Sequence, residues 1–311
     1  MGTLEVIDKL PWWRERQLDL REVLAFAAIY FLWGATFLAI RVAVLEIPPF
    51  FTAGLRFFSA GVILYLLMRW RGQPAPTAAQ WRSVAVIALC MFVLTYGPLF
   101  WASQFVPSGV TAVLEATLPV IAMVLEVFVF RHQPFRWRML AAVALGFAGI
   151  TLLLWKNSSQ SLPVLPCLAI LSGSVAWTLG AVLNRSLSLP KSVPLAAGAE
   201  MMLGGAVLLG VSLLAGEMQP FPHIPWRAAG ALLYLIVGGS LVAFTAYVWL
   251  LARMPATRVA SHAYVNPVVA VALGYFVAGE AITPRMLVAS VLVVGSVFLI
   301  LKPASVTDST K

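Results

Sequence analysis

Charge is what this chain is short of. Asp, Glu, Lys and Arg make up 11% of its 311 residues, against about 25% in ordinary soluble domains. The apolar share is 61% and the mean hydropathy +0.92, more hydrocarbon than a water-soluble core can hide. Cysteine is nearly missing too. Cys90 and Cys167 each fall inside an apolar run, with no paired spacing and no histidine cluster nearby. That pattern excludes a disulfide framework and a metal site and leaves two small core residues. His132, His223 and His262 are scattered, no His-Glu-x-x-His occurs, no paired acid-rich motifs are present to hold magnesium, and Ser172-Gly173-Ser174 has no evident His partner. An intramembrane enzyme therefore finds little support, and no cofactor is expected. The first twenty residues mix Lys9, Arg14 and Arg16 with Glu5, Asp8, Glu15 and Asp19 around no apolar stretch, which speaks against a cleaved signal peptide. Pro11, Trp12 and Trp13 suit a short segment on the cytoplasmic membrane surface, a disordered tail being the alternative.

What the chain does have is long apolar runs. Stretches of the length that crosses about 30 Å of hydrocarbon lie near 22–44, 49–69, 82–104, 108–130 and 137–155, then near 163–184, 193–215, 226–251, 256–279 and 284–302. Continuous apolarity without alternation requires helices rather than a barrel. The expected fold is all-α and integral to the membrane, with ten transmembrane helices. A net charge of +9 taken alone points to nucleic acid, but the basic residues sit in short loops between spans, so the bilayer is the expected partner and nucleic acid is not. Arg21, Arg69, Arg71, Arg82, Arg131, Arg136, Arg138, Arg185, Lys191, Arg253, Arg258 and Lys302 fall on one side, together with Lys9, Arg14, Arg16 and Lys311. Only Arg41, Lys156, Arg227 and Arg285 fall on the other. By the positive-inside rule both termini are cytoplasmic.

The chain also repeats itself. A shift of about 144 residues sets Trp33 on Trp177, Arg41 on Arg185, Gly54 on Gly198, Arg56 on Glu200 and Gly61 on Gly205. A shift of about 148 sets Trp101 on Trp249, Pro107 on Pro255, Ala112 on Ala260 and Pro119 on Pro267. Each half, 22–155 and 163–302, holds an odd number of spans, so the second enters the membrane inverted relative to the first. The flanking segments, 1–21 and 303–311, are expected in the cytoplasm. Inverted repeats supply two pseudo-equivalent states with a site between the halves, near the midplane.

Trp33-Gly34, Leu55-Arg56, the Ala112–Pro119 stretch, its counterpart Ala260–Pro267, and Gly279-Glu280 occur in an order and spacing that is specific taken together. In these residues the chain resembles the drug/metabolite transporter superfamily, in its ten-helix EamA-type branch, from Glu22 to Pro303. It departs where Phe130-Arg131 stands opposite Gly279-Glu280. The resemblance implies a basket of helices around a central cavity, exporting amino acids or other small metabolites. Small multidrug relatives place a proton-coupling Glu in the first helix, whereas no acid occurs here between Glu22 and Glu46, which leaves facilitated export open. Because the two halves are fused in one chain, a functional monomer is expected.

Buried charges are expensive in a bilayer and mark function. Arg56 and Glu115 both lie roughly 10 Å from the periplasmic ends of their spans, and Glu200 and His262 roughly 10 Å from the cytoplasmic ends, counting 1.5 Å per residue. Those depths allow two pairs, Arg56 with Glu115 and Glu200 with His262. Such pairs act as gates or substrate anchors, or else only fix helix packing. Glu126 with Arg131 reads as an interfacial salt bridge. Trp33, Thr36, Phe37, Tyr96, Trp101, Thr117, Trp177, Tyr247, Tyr264 and Asn266 are candidates for the cavity wall, though aromatic stripes also serve packing. Pro119 and Pro267 are candidate hinges or sources of free carbonyls. A large, mostly apolar wall with Arg56 as its one cation suits small neutral or zwitterionic molecules and not phosphorylated ones. A channel-like pore is the alternative within the same architecture.

Overall fold

A computed structural model describes residues 19–129, 137–154, 162–184, 186–219, 224–251, 253, 259 and 261–301. The helices are α1 Leu20–Val44, α2 Pro49–Trp70, α3 Ala78–Ala102, α4 Ser108–Val129, α6 Val164–Asn184, α7 Val193–Leu214 and α8 Trp226–Leu250. The remaining three are α5 Trp137–Leu154, α9 His262–Ala278 and α10 Pro284–Leu301. Seven of these are long and apolar enough to cross a membrane outright, and three shorter apolar stretches complete the set. No strand occurs among the described residues.

Helix ends follow local chemistry. Asp19 and Glu22 form a capping box that starts α1, and Thr77 with Gln80 does the same for α3. Pro49, Pro194 and Pro284 sit in first turns, where a missing N–H costs nothing. Trp70, Trp137 and Trp226 stand more than three-quarters exposed at helix ends, the positions of an interfacial aromatic belt.

The two halves interleave. α1 packs on α8 and α9, α2 on α7, α3 on α6, α4 on α6 and α9, and α5 on α10. Inversion of the repeat exchanges α1 with α6 and α3 with α8, so the α1/α8 and α6/α3 contacts are equivalents of each other. The α2/α7 contact is its own equivalent and is the most extensive among the described helices. There Gly54 and Gly61 face Gly198 and Gly205. A Cβ on Gly54 would lie 2.8 Å from the Leu209 amide nitrogen, and one on Gly198 2.8 Å from that of Tyr65. On Gly61 or Gly205 it would fall onto the backbone of Met202 or Phe58. Without a hydrophobic force between helices in lipid, such small-residue contacts let backbones approach and gain dispersion energy. The glycine matches seen in the repeat are thus the two ends of one crossing.

Four π-helical stretches interrupt the ladder: Ala28–Leu32 in α1, Leu89–Val93 in α3, Leu125–Val129 in α4 and Leu235–Val242 in α8. Those in α3 and α8 coincide under the repeat. Each leaves carbonyls without their usual partners, and three of the inter-helix hydrogen bonds described next, from Trp33 and Asn266, end on such carbonyls. In α4 the helix also breaks at Ala116–Thr117, between Ser108–Glu115 and Leu118–Val124. Pro119 cannot donate to the carbonyl of Glu115 four residues back. Pro267, its counterpart, instead lies inside a continuous α9, so the two prolines do not play equal parts.

Candidate functional site

Arg56 is 4% exposed in the middle of the bundle. Its Nε donates to Ser240 Oγ at 2.9 Å, and its guanidinium lies 4.7 Å from the Phe57 ring centroid, 5.6 Å from Tyr96 and 6.0 Å from Phe100. Its Nη1 has no hydrogen-bond partner. Ser240 can reach Arg56 because the π-helical turn of α8 rotates it inward. Gly239, beside it, passes within 3.1 Å of the guanidinium measured from where a Cβ would stand. The same turn exposes the Gly239 carbonyl, which accepts from Trp33 Nε1 at 2.9 Å. Thr36 Oγ1 donates to the Trp33 carbonyl at 2.6 Å and closes the wall on that side.

Tyr96 joins this group to α6. Its ring meets Phe57 at 4.5 Å and Trp177 edge-on at 6.1 Å, and its hydroxyl lies within electrostatic reach of both Arg56 and Glu115. Glu115 accepts from Ser174 Oγ at 3.0 Å. No ion pair joins Arg56 to Glu115: Tyr96 stands between them, and the guanidinium turns to Ser240. The expected pair is therefore two separately held charges.

The second expected pair does not form either. His262 packs against aromatic rings, 5.3 Å from Trp33 and 5.8 Å from Tyr247, and its Nδ1 bonds the Val259 carbonyl at 2.9 Å. Glu200 is 6% exposed in α7, and its Oε1 meets no partner. α9 packs on α1 and α4, and depth along the membrane alone could not reveal that. Trp33 instead links His262 to the Arg56 group through its bond to the Gly239 carbonyl, with Tyr247 5.1 Å from the Trp33 ring. Asn266, with its amide nitrogen toward α1, donates to the carbonyls of Ile29 and Tyr30 at 3.1 Å each and of His262 at 3.2 Å, so it braces the π-helical turn of α1. Thr117 spends its hydroxyl on the Leu114 carbonyl at the break in α4. The side chains of Tyr264 and Glu126, and all of Arg131, lie outside the described residues.

The sequence reading missed Ser240, Ser174, Phe57 and Phe100. A buried arginine demands a partner, which was a signal for Ser240, but only the π-helical register of α8 singles out that serine. Also missed was a periplasmic clasp. Gly279, at φ 65°, ends α9 in the left-handed conformation, with Glu280 N–H returning to the Gly274 carbonyl at 2.9 Å. The chain folds back there, and Glu280 caps α4. It accepts from Ser108 N–H and Oγ at 2.9 Å each and from Gly109 N–H at 3.3 Å. Arg41 Nε lies 3.3 Å from Glu280, while its Nη1 donates to the Ser103 and Val106 carbonyls. Glu217 likewise accepts from the amides of Phe50 and Phe51 at the start of α2. Carboxylates of the second half thus hold helix starts of the first.

A ten-helix inverted repeat with interleaved halves and a polar group buried at their junction defines a membrane transporter, not an enzyme. The chain belongs to the EamA-like transporter family, which matches residues 20–155 and again 164–302. It is a multi-pass inner-membrane protein. It is 35% identical over 283 residues to the Escherichia coli inner membrane transporter YedA, itself uncharacterized, covering 89% of each chain. It is 25% identical to the Bacillus subtilis transporter YoaV, covering 90% of this chain and 96% of that one. A WAT1-related chloroplast protein of Arabidopsis thaliana is 25% identical over 87% of this chain and 67% of its own length. A protein crystal structure superposes with a TM-score of 0.61 at 19% identity, covering 89% of this chain and 95% of that chain, a likeness of fold alone.

Proposed function

We propose that this transporter exports small neutral or zwitterionic metabolites, amino acids with apolar side chains foremost, by alternating access between its halves. The observation that carries this reading is the free Nη1 of Arg56, buried among aromatic rings. A guanidinium donor left unpaired in a low-dielectric site costs several kcal/mol at most positions, and a substrate carboxylate relieves that cost when it arrives. Glu115, across Tyr96, supplies an acceptor for an ammonium group. Tyr96 and Trp177 offer apolar faces to a side chain between the two. One cation and one acid suit a zwitterion and leave a phosphate under-compensated.

Uptake of a radiolabelled amino-acid panel into proteoliposomes, with and without an imposed pH gradient, tests this. Saturable uptake of neutral amino acids without a gradient is the expected result. No uptake of any member sinks the amino-acid assignment while leaving the family untouched. An alternating carrier further requires that thiols placed at the two ends of the path never react together, whereas simultaneous labelling at both ends identifies a pore.

A further inference from the structure

The clasp residues Arg41 and Glu280 line a cavity of about 840 Å³ at the periplasmic ends of α1, α4, α9 and α10. That is within the range of pockets that enclose small organic ligands, about 300 to 1,000 Å³. Arg227, at the start of α8, and Arg285, at the start of α10, line it as well. By the loop-charge pattern, four basic residues fall toward the periplasmic side, Arg41, Lys156, Arg227 and Arg285. Three of them converge on this one cavity from separate parts of the chain, and Lys156 lies outside the described residues. Glu280 is the single acid among the described lining residues, and its oxygens are engaged by Arg41, Ser108 and Gly109. Apart from Thr283, the rest of the wall is largely apolar, with Leu38, Val42, Val110 and Leu153. A recess with an excess of guanidinium groups and low-dielectric walls concentrates anions, and Arg227 is exposed at its rim.

We infer that this vestibule is a binding site for an amphiphilic anion, a carboxylate or phosphate head on an apolar body, entered from the periplasmic side. The head sits against Arg227 at the rim, within the positive field to which Arg285 and Arg41 add, and the body against the aliphatic wall. The site is separate from the Arg56 group, and its test needs no turnover, so it stands or falls independently of the transport reading. The shared chemistry has two sources, a free organic anion or the headgroup of an anionic lipid.

A single thiol at Ala281, an exposed lining residue, reports on the site in a Cys90→Ser, Cys167→Ala background. Leu45→Cys, on the opposite wall, serves where that protein is not monodisperse. Its reaction with an anionic and a cationic methanethiosulfonate of equal size is compared with that of free cysteine. The anionic reagent is expected to be favoured about 5-fold beyond the free-thiol ratio at low salt. Arg227→Gln and Arg285→Gln should each return the ratio toward the free-thiol value, as should high salt. Protection of the thiol by benzoate in phosphatidylcholine nanodiscs supports a soluble ligand. Protection only when phosphatidylglycerol is included supports the lipid headgroup. A free-thiol ratio in the unsubstituted cavity, or no protection by either probe, overturns the inference.

Discussion

Arg56→Gln is the most informative single change, because the structure says what it removes and what it leaves. The substitution deletes the Nη1 donor that has no protein partner together with the Nε bond to Ser240 and the contacts with the Phe57, Tyr96 and Phe100 rings, but it breaks no native ion pair. Relief from burying a charge without an acid partner offsets those losses, and the variant should purify as a monodisperse protein. What disappears is one charged hydrogen bond to a substrate carboxylate, about 1.5 to 3 kcal/mol, or roughly 10- to 150-fold in affinity. The assay is a cycle between protein and ligand. Phenylalanine and phenethylamine share a side chain and an amine and differ in the carboxylate, and each is offered to both proteins in proteoliposomes. The unsubstituted protein should prefer phenylalanine by that factor, and the variant should show little preference. Ser240→Ala should fall between, since it frees Nε but keeps the charge, costing about 1 kcal/mol or roughly 5-fold. A variant that still discriminates the two ligands as strongly as the parent refutes the carboxylate anchor.

Three further outcomes follow from the packing. Gly61→Ala and Gly205→Ala drive a methyl into the backbone of the opposite helix. Each should cost about 2 kcal/mol and lower the apparent melting temperature by about 5 °C. Gly210→Ala, with nothing within 4 Å, should leave it unchanged or slightly raised, and equal effects at all three positions would contradict the close crossing. Asn266→Leu strips a donor from three carbonyls around the π-helical turn of α1. It should cost about 2 to 4 kcal/mol, read as a comparable loss of melting temperature, and an unchanged transition argues that the amide is not the brace. Glu280→Gln leaves Arg41 without its acid and weakens the cap on α4. A thiol at Ser103, 2% exposed behind the clasp, should then react several-fold faster with an impermeant reagent, and an unaltered rate means that the clasp does not close the periplasmic end.

The spans, their polarity and the repeat were legible because each is a long-range average over many residues. Apolar length and loop charge do not depend on how one side chain turns. The glycine matches were legible for a related reason: Gly54 with Gly198 and Gly61 with Gly205 mark a crossing where the opposing backbones leave no room for a side chain. Pairings between buried charges were not legible. Depth along a helix fixes one coordinate of three, and rotation about the axis depends on the π-helical turns, which carry no clear sequence signature. Ser240 becomes the partner of Arg56 through the turn at Leu235–Val242, and His262 faces Trp33 instead of Glu200 because α9 packs on α1. The Gly279-Glu280 motif was read as a family signature, yet its physical content is a left-handed helix end that aims a carboxylate at a neighbouring helix start.

The inverted repeat is symmetric in its backbone and asymmetric in its chemistry, and the asymmetry bears on mechanism. Exchange of the halves maps the α2/α7 crossing onto itself, so two states related by the pseudo-symmetry would share that contact. The polar groups are not exchanged in kind. Arg56 corresponds to Glu200, and Glu280 to Arg131, so a cation with a free donor faces one side of the crossing and an acid with a free acceptor faces the other. Two conformations related by the pseudo-symmetry therefore differ in electrostatic energy even where their packing is equivalent. At the periplasmic end the Arg41–Glu280 pair and the Glu217 cap add contacts between the halves, each worth about 1 to 3 kcal/mol when a charged group is involved. On the proposed alternating-access reading, these contacts would favour a closed periplasmic end in the empty protein. A substrate that neutralises Arg56 changes the charge balance at the crossing and not the packing, which is the kind of differential interaction that can shift a two-state equilibrium. If the protein works as proposed, directionality would come from the residues that break the repeat, and those are the positions at which relatives with different substrates are expected to differ.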